Sequence, residues 1–138
     1  MGTDLRKLAS DGYPAQLLIG CDNRQTFIDQ GYELFNDSPS TCPIKFVVSD
    51  MFDLPLSKDV APNSADITSL ESLKGRLSVI YAGALFHLFN EETQFAIALR
   101  PILLLRRPQG SNQPKKAILF GRHQGLAEEG MIADRMGR

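Results

Sequence analysis

An apolar run that ends in an acid, LLIGCD at residues 17–22, limits the possible folds of this chain more than any other feature. A nearly continuous apolar run is typical of a parallel strand that is buried on both faces. A helical pattern follows at once, with apolar side chains recurring along one side of residues 26–35. In nucleotide-binding α/β sheets, an acid at the carboxyl end of such a strand holds the two ribose hydroxyls. Asp22 therefore indicates a cofactor that contains a nucleoside.

The same alternation of strand and helix continues along the chain. Strand patterns are predicted at 16–22, 44–49, 77–82 and 117–120, and helical patterns at 4–10, 26–35, 66–73 and from 91 onward. Such alternation predicts an α/β layer with a parallel sheet. Ligands of these sheets gather beyond the carboxyl ends of the strands. Four positions mark those ends: Asp22, Asp50, Gly83 and Gly121.

The helix after residue 90 carries the clearest local signals. Asn90 is expected to cap it, with Thr93 three residues later. Pro101 must kink this helix or end it, because proline lacks the backbone donor that a helix interior needs. The residues expected to face the core are Phe95, Ala98, Leu99, Ile102 and Leu103. Residues 126–138 are expected to form one weak helix.

Composition restricts the class of protein. The 138 residues are 43% hydrophobic and 22% charged, which fits a single globular domain over 1–138. A net charge of -1 gives no reason to expect a nucleic-acid partner. No apolar run reaches the roughly 18 residues that a membrane span needs, and the amino terminus lacks a signal-peptide pattern. Cys21 and Cys42 form neither a disulfide framework nor a metal motif, so the cytoplasm is the expected compartment. Cys21 lies in an apolar strand pattern and is therefore expected to be a small core residue.

Five strings in a fixed order resemble one family, the small-molecule S-adenosylmethionine-dependent methyltransferases of fungal secondary metabolism. They are GTDLRKLASDG, LLIGCDNRQTFIDQGYELF, IKFVVSDMFDLPL, GRLSVIYAGALFHLF and AILFGRHQG, and they cover residues 2 to about 125. The resemblance implies the Rossmann-like parallel sheet of the class I methyltransferase fold. It also implies S-adenosylmethionine as cofactor and a small-molecule acceptor.

The resemblance implies roles for two acids and their neighbours. Asp22 matches the acid that binds the ribose hydroxyls, and Asn23 lies beside it. Asp50 matches the acid after the family's third strand, which receives the adenine amino group. Met51 would then lie against the adenine ring.

Three further positions match the region of the methionine part and the transferred methyl group. Gly2 matches the last glycine of the loop beneath the methionine part of the cofactor. Gly83 matches the end of the family's fourth strand, near the methyl group. His87 follows one turn later and faces the acceptor side, where it is the candidate general base.

The chain departs from the family pattern at both ends. The first strand and most of the glycine-rich loop before residue 2 are absent, and so is the final antiparallel pair of strands. In the family's strand order the missing first strand is central, so its neighbours would keep unpaired backbone groups, each costing about 1–3 kcal/mol if buried. Three arrangements answer this: the strands at 17–22 and 77–82 pair directly, a homodimer or partner chain covers the open edge, or the sequence is a fragment.

Each candidate residue also has an ordinary structural interpretation. Asp22 and Asp50 are good turn formers at strand ends. A lone histidine such as His87 is often simply packed against its neighbours. An NAD-dependent enzyme would also suit Asp22, but no G-x-G-x-x-G motif precedes the strand. Two other functions remain open beside methyl transfer. One is a cofactor-independent cyclase or isomerase that uses His87, Arg122 and His123 as acid or base groups, and the other is an inactive paralogue that pairs with a partner.

Overall fold

The computed structural model describes residues 1–57, 66–107 and 116–123. These residues divide into two compact units, one with residues 1–54 and 66–73, the other with residues 55–57, 74–107 and 116–123. The described helices are α1 (Thr3–Ser10), α2 (Gln25–Phe35), α3 (Glu91–Leu99) and α4 (Pro101–Leu104). The described strands are β1 (Ile19–Asp22), β2 (Lys45–Val48), β3 (Val79–Tyr81) and β4 (Ile118–Phe120). None of these helices has both the length and the hydropathy needed to cross a membrane.

The first unit contains one parallel pair, β1 and β2, joined by the crossover helix α2. Gly20 stands directly opposite Phe46 in the register. A Cβ atom at Gly20 would lie 2.5 Å from the Phe46 ring, so this position accepts no side chain without moving the ring. Leu18, Cys42 and Ile44 form the buried cluster beneath the pair. Burial of these apolar side chains holds the two strands in register.

The second unit contains the other parallel pair, β3 and β4, with α3 and α4 between them in the chain. Val79 is opposite Ile118, and Tyr81 is opposite Phe120. Just beyond the strands, a Cβ atom at Gly121 would lie 2.1 Å from the carbonyl oxygen of Ala82. Glycine at 121 therefore permits the segments that follow β3 and β4 to approach each other closely.

The prediction of an α/β chain with parallel strands is confirmed: each unit holds a parallel two-stranded sheet. Asn90 also caps α3 as predicted, since its Oδ1 accepts a hydrogen bond from the Thr93 backbone nitrogen at 2.9 Å. The finer class I arrangement, one sheet without its first strand and final pair, stays a prediction. The helix predicted at 126–138 lies outside the described residues.

Two predictions around the first strand are wrong. The strand begins at Ile19 rather than at residue 16, because Ala15–Leu17 form a 3₁₀ turn. Cys21 is exposed rather than part of the core. Successive side chains of a strand point to opposite faces, and here Gly20 takes the buried position and Cys21 the other face.

The predicted inward face of the helix after residue 90 is also wrong. Phe95 and Ile102 are 68% and 58% exposed, whereas the buried residues are Ile97, Pro101 and Leu104. The buried positions are four and three residues apart and so share one face, while Phe95 is two residues from Ile97 and points away. Pro101 starts the new helix α4, which confirms that it ends the preceding one. Similarly, residues 66–73 hold only the 3₁₀ turn Glu71–Leu73 and not a full helix.

Candidate functional site

In the first unit, two predicted acids lie at the same end of the parallel pair. Asp22 closes β1 and is opposite Val48, so Asp50 follows two residues beyond the corresponding position of β2. The ladder extends to this end, where the Ser49 backbone nitrogen donates to the Asp22 carbonyl oxygen at 3.1 Å. Parallel pairing therefore gathers the two acids at one sheet edge, as the sequence predicted.

Both carboxylates are half-buried, and each organises the turn that follows it. Asp22 Oδ1 accepts from the Arg24 backbone nitrogen at 2.9 Å, and Asp50 Oδ1 accepts from the Phe52 backbone nitrogen at 2.8 Å. An ionised carboxylate has about four acceptor positions, so these turns leave acceptor capacity for a ligand hydroxyl or amino group. The turns alone explain why aspartate stands at both positions, and the ribose and adenine roles stay predictions.

Cys21 directly precedes Asp22 in β1 and is opposite Val47 of β2. Its Sγ donates to the Ser49 carbonyl oxygen at 3.4 Å. Packing around the thiol, followed by the nearby Asp22 carboxylate, raises the pKa of Cys21 to about 11. The thiol is therefore protonated at neutral pH and does not act as a nucleophile there.

The other predicted cofactor residues of this unit differ in their surroundings. Asn23 is exposed directly after β1, and Met51 is half-buried in the 3₁₀ turn Met51–Asp53. Gly2 precedes α1 with a φ of 86°, in the left-handed region that favours glycine. A Cβ atom there would lie 2.6 Å from Arg6 Nη1 and 2.7 Å from Phe46 Cζ, so packing within the unit already requires glycine at this position.

In the second unit, the predicted residues Gly83 and His87 follow β3. A Cβ atom at Gly83 would lie 2.5 Å from the Tyr81 hydroxyl, which is the movable end of a side chain. His87 is half-buried in the 3₁₀ turn Phe86–Leu88. Its Nδ1 is buried and has no hydrogen-bond partner among the described residues. Buried polar atoms nearly always have a hydrogen-bond partner, so we expect this nitrogen to have a partner outside the described residues.

His87 has two cationic or ionisable neighbours from the end of β4. The rings of His87 and His123 are edge to face, with centroids 5.7 Å apart. Together with Ala84, the side chains of His87, Arg122 and His123 line an open hollow of about 370 Å³. The sequence grouped these three side chains only for the cofactor-independent alternative, while His87 alone was also the candidate base for methyl transfer, and the structure brings all three together.

Backbone pairing explains why these side chains meet. The ladder of β3 and β4 continues past the strands, with Ala82 and Ala84 nitrogens donating to the Phe120 and Arg122 carbonyl oxygens, both at 2.9 Å. Ala84 adopts a φ of 55°, an uncommon conformation for a residue with a side chain. Sequence reasoning missed Ala84, because nothing in an alanine signals a left-handed backbone. No group of three or more metal-ligating side chains occurs among the residues that the structure describes.

Known proteins similar to this chain are fungal methyltransferases. The O-methyltransferase phiE of Fungal sp. is 35% identical over 130 residues, which is 94% of this chain and 37% of that protein. The methyltransferase adrK of Penicillium rubens is 36% identical over 110 residues, 80% of this chain and 35% of that protein. The Asnovolin E/Chermesin D methyltransferase nvfJ of Aspergillus novofumigatus is 31% identical over 110 residues, 80% of this chain and 35% of that protein.

Two other comparisons give no match: no protein-family model and no solved structure matches the chain. The chain spans little more than a third of the length of the curated relatives named here. Within that span the similarity covers most of the chain, at 31–36% identity in these three relatives. The chain therefore belongs with the fungal methyltransferases.

Proposed function

We propose that this chain takes part in S-adenosylmethionine-dependent methylation of a small natural product, at a hydroxyl or carboxylate oxygen. The observation that carries this proposal is the similarity to an O-methyltransferase over 94% of the chain. The placement of Asp22 and Asp50 at one end of a parallel pair supports it independently. The name of the relative nvfJ refers to two compounds, asnovolin E and chermesin D, which supports a small-molecule acceptor for this chain.

The residues of the first unit fit the nucleoside half of the cofactor. Asp22 would accept hydrogen bonds from the ribose hydroxyls, with Asn23 as an exposed polar neighbour. Asp50 would accept from the adenine amino group, and Met51 would pack against the ring. Among the described residues, each aspartate accepts one backbone hydrogen bond, which leaves oxygen lone pairs for these contacts. When bound, the cofactor supplies an electrophilic methyl group on a sulfonium.

The residues of the second unit would act on the acceptor. Methyl transfer needs chiefly alignment of the two reactants and exclusion of water. Gly83 would allow close approach of the reacting groups after β3. His87 would remove the proton of a weakly acidic hydroxyl, whereas a carboxylate acceptor is already ionised and needs no base.

A second candidate function is favoured by one specific observation. His87, Arg122 and His123 line the same hollow, which is an arrangement suited to acid–base chemistry without a cofactor. A cyclisation or isomerisation would use these three groups and would not depend on Asp22. Turnover that persists without S-adenosylmethionine distinguishes this function from methyl transfer.

The open sheet edges support a proposal about partners. Each described sheet has only two strands, so backbone groups on the outer side of every strand lack a described ladder partner. We propose that a second copy or a partner chain contributes a strand to such an edge. Sedimentation of the purified chain tests this, because a monomer at all concentrations would contradict a homodimer.

We also propose a cytoplasmic location. The free thiols of Cys21 and Cys42 are consistent with a reducing compartment.

The test of the main proposal is transfer of a labelled methyl group from S-adenosylmethionine to salicylate, which offers both a hydroxyl and a carboxylate. We expect labelled product with the unchanged chain and with Asp53→Asn, a neighbouring acid that has no proposed contact. We expect at least a tenfold loss with Asp22→Asn. Turnover equal in Asp22→Asn and the unchanged chain would contradict the assigned cofactor site.

A further inference from the structure

We propose that His87, Arg122 and His123 form a binding site for an amphipathic organic acid, with an apolar body and one carboxylate. The site lies wholly in the second unit, at the carboxyl ends of β3 and β4. Binding of the organic acid at this site would need no cofactor, so the proposal can be tested separately from methyl transfer. Three observations carry the inference: the charge of the hollow, its apolar neighbour and the unpartnered nitrogen of His87.

The charge of the hollow favours an anion. Among the described residues, its lining side chains are Ala84, His87, Arg122 and His123, and none of these is an acid. The guanidinium group of Arg122 offers N–H donors in a planar fork that matches a carboxylate. Each imidazole adds a donor, or two when it is protonated. A cation is disfavoured, because Arg122 would repel it.

An adjoining hollow favours an apolar body over an inorganic ion. This second hollow, of about 210 Å³, shares Arg122 and His123 with the first. Among the described residues, the rest of its lining is apolar apart from the Gly121 backbone: Ala82, Phe86, Leu119 and Phe120. Small-molecule sites typically combine such apolar walls with a few polar groups that fix orientation. A ligand with its carboxylate at Arg122 and its body against Phe86 and Phe120 would use both hollows.

The geometry of the cluster is held by the backbone and not by hydrogen bonds among the side chains. The Ala84 nitrogen donates to the Arg122 carbonyl oxygen at 2.9 Å, which fixes the end of β4 beside the turn that carries His87. The ring centroids of His87 and His123 are then 5.7 Å apart. The buried Nδ1 of His87 has no hydrogen-bond partner among the described residues, and His87 is itself one of the residues that line the hollow.

The experiment is an NMR titration of the full 138-residue chain, labelled with ¹⁵N in its histidines. Four probes separate the two features of the ligand: benzoate has body and charge, benzyl alcohol only the body, acetate only the charge, and inorganic phosphate a different oxyanion. We expect saturable shifts of both imidazoles with benzoate. We expect benzoate to bind at least fivefold more tightly than each of the other three probes.

Substitutions test whether the named side chains are responsible. Arg122→Gln and His123→Gln should each weaken benzoate binding at least fivefold. Arg107→Gln removes an exposed arginine of the same unit that lines neither hollow, so its affinity should be unchanged. If circular dichroism shows Arg122→Gln unfolded, Arg122→Lys replaces it; it keeps the charge but loses the planar fork, and should bind at least threefold more weakly.

Three results would overturn the assignment. Equal affinity for benzoate and benzyl alcohol would show that charge is not recognised. Equal affinity for benzoate and either phosphate or acetate would show that the apolar body is not recognised. An equal loss in Arg107→Gln and Arg122→Gln would mean that general positive charge, and not this site, attracts the anion.

Discussion

Arg6 and Asp37 form a two-point ion pair that ties α1 to the end of α2. Arg6 Nε donates to Asp37 Oδ2 at 2.8 Å, and Nη2 donates to Oδ1 at 2.7 Å. The side chains are only 10% and 21% exposed, and the guanidinium lies 4.6 Å from the ring centroid of Phe35. This pair therefore ties α1 to the segment that follows α2 within the first unit.

We expect Asp37→Asn to lower the free energy of unfolding by about 1–2 kcal/mol, because a two-point, partly buried pair is stronger than an exposed one. The matched control is Asp11→Asn, which removes the exposed pair that Asp11 forms with Lys7. That change should cost about 0.5 kcal/mol or less. Urea unfolding at pH 7 measures both. Equal effects of the two substitutions would contradict the anchoring role of Arg6 and Asp37.

The same pair predicts how stability depends on pH. Hydrogen bonds from Arg6 hold the pKa of Asp37 below its ordinary value. A lowered pKa in the folded state means that the contribution is complete above the unfolded pKa of about 3.9 and is lost as pH falls through the folded pKa. The difference in unfolding free energy between the unchanged chain and Asp37→Asn should thus be constant from pH 7 to 5. It should shrink toward pH 2, and a difference that disappears above pH 5 would be inconsistent with this pair.

Gly121 gives a steric prediction for the second unit. The Cβ atom of Gly121→Ala would lie 2.1 Å from the backbone oxygen of Ala82, which cannot move without disturbing the ladder. We expect a loss of about 1–3 kcal/mol in unfolding free energy, as in other overpacked sites. Gly83→Ala is the comparison, because its Cβ meets the hydroxyl end of Tyr81, which can turn away. A loss in Gly83→Ala as large as in Gly121→Ala would show that backbone approach at Gly121 is not the cause.

Cys21 should react slowly with alkylating reagents despite its exposure. Burial around the thiol, and then the Asp22 carboxylate, raise its pKa from 9.0 to about 11. At pH 8 the reactive thiolate fraction should be roughly a hundredfold lower than for an unperturbed thiol, since each pKa unit is a factor of ten. Iodoacetamide labelling of the Cys42→Ala variant, followed over time by mass spectrometry, measures the alkylation rate of Cys21. Asp22→Asn should speed the reaction, and a rate equal to that of a free cysteine peptide would contradict the raised pKa.

Local sequence patterns were sufficient for the alternation of the main strands and helices and for the acids at the strand ends, but not for residues 66–73, which form only a 3₁₀ turn. Asp22 and Asp50 were predictable because an apolar run followed by an acid and a helical pattern is visible in the sequence alone. The burial of individual side chains was not: Cys21 and Phe95 both lie in apolar segments, yet tertiary packing turned them outward. The face of a helix depends on where it begins and ends, and Pro101 divides one apolar pattern into two helices.

The cluster of His87, Arg122 and His123 was only partly predictable. Parallel strands imply that residues following β3 and β4 lie at one edge, which brings these side chains into the same region. Their meeting in one hollow depends on the left-handed backbone of Ala84 and on its hydrogen bond to the Arg122 carbonyl oxygen. Neither feature has a signature in the amino-acid sequence.

The most direct test of the methyltransferase account is calorimetric titration of the purified 138-residue chain with S-adenosylmethionine and S-adenosylhomocysteine. The account predicts binding of both ligands. It predicts at least tenfold weaker binding in Asp22→Ala, because the ribose hydroxyls lose their acceptor, and unchanged binding in Asp53→Ala. A folded chain that binds neither ligand, or an Asp22→Ala variant that binds as tightly as the unchanged chain, would contradict it.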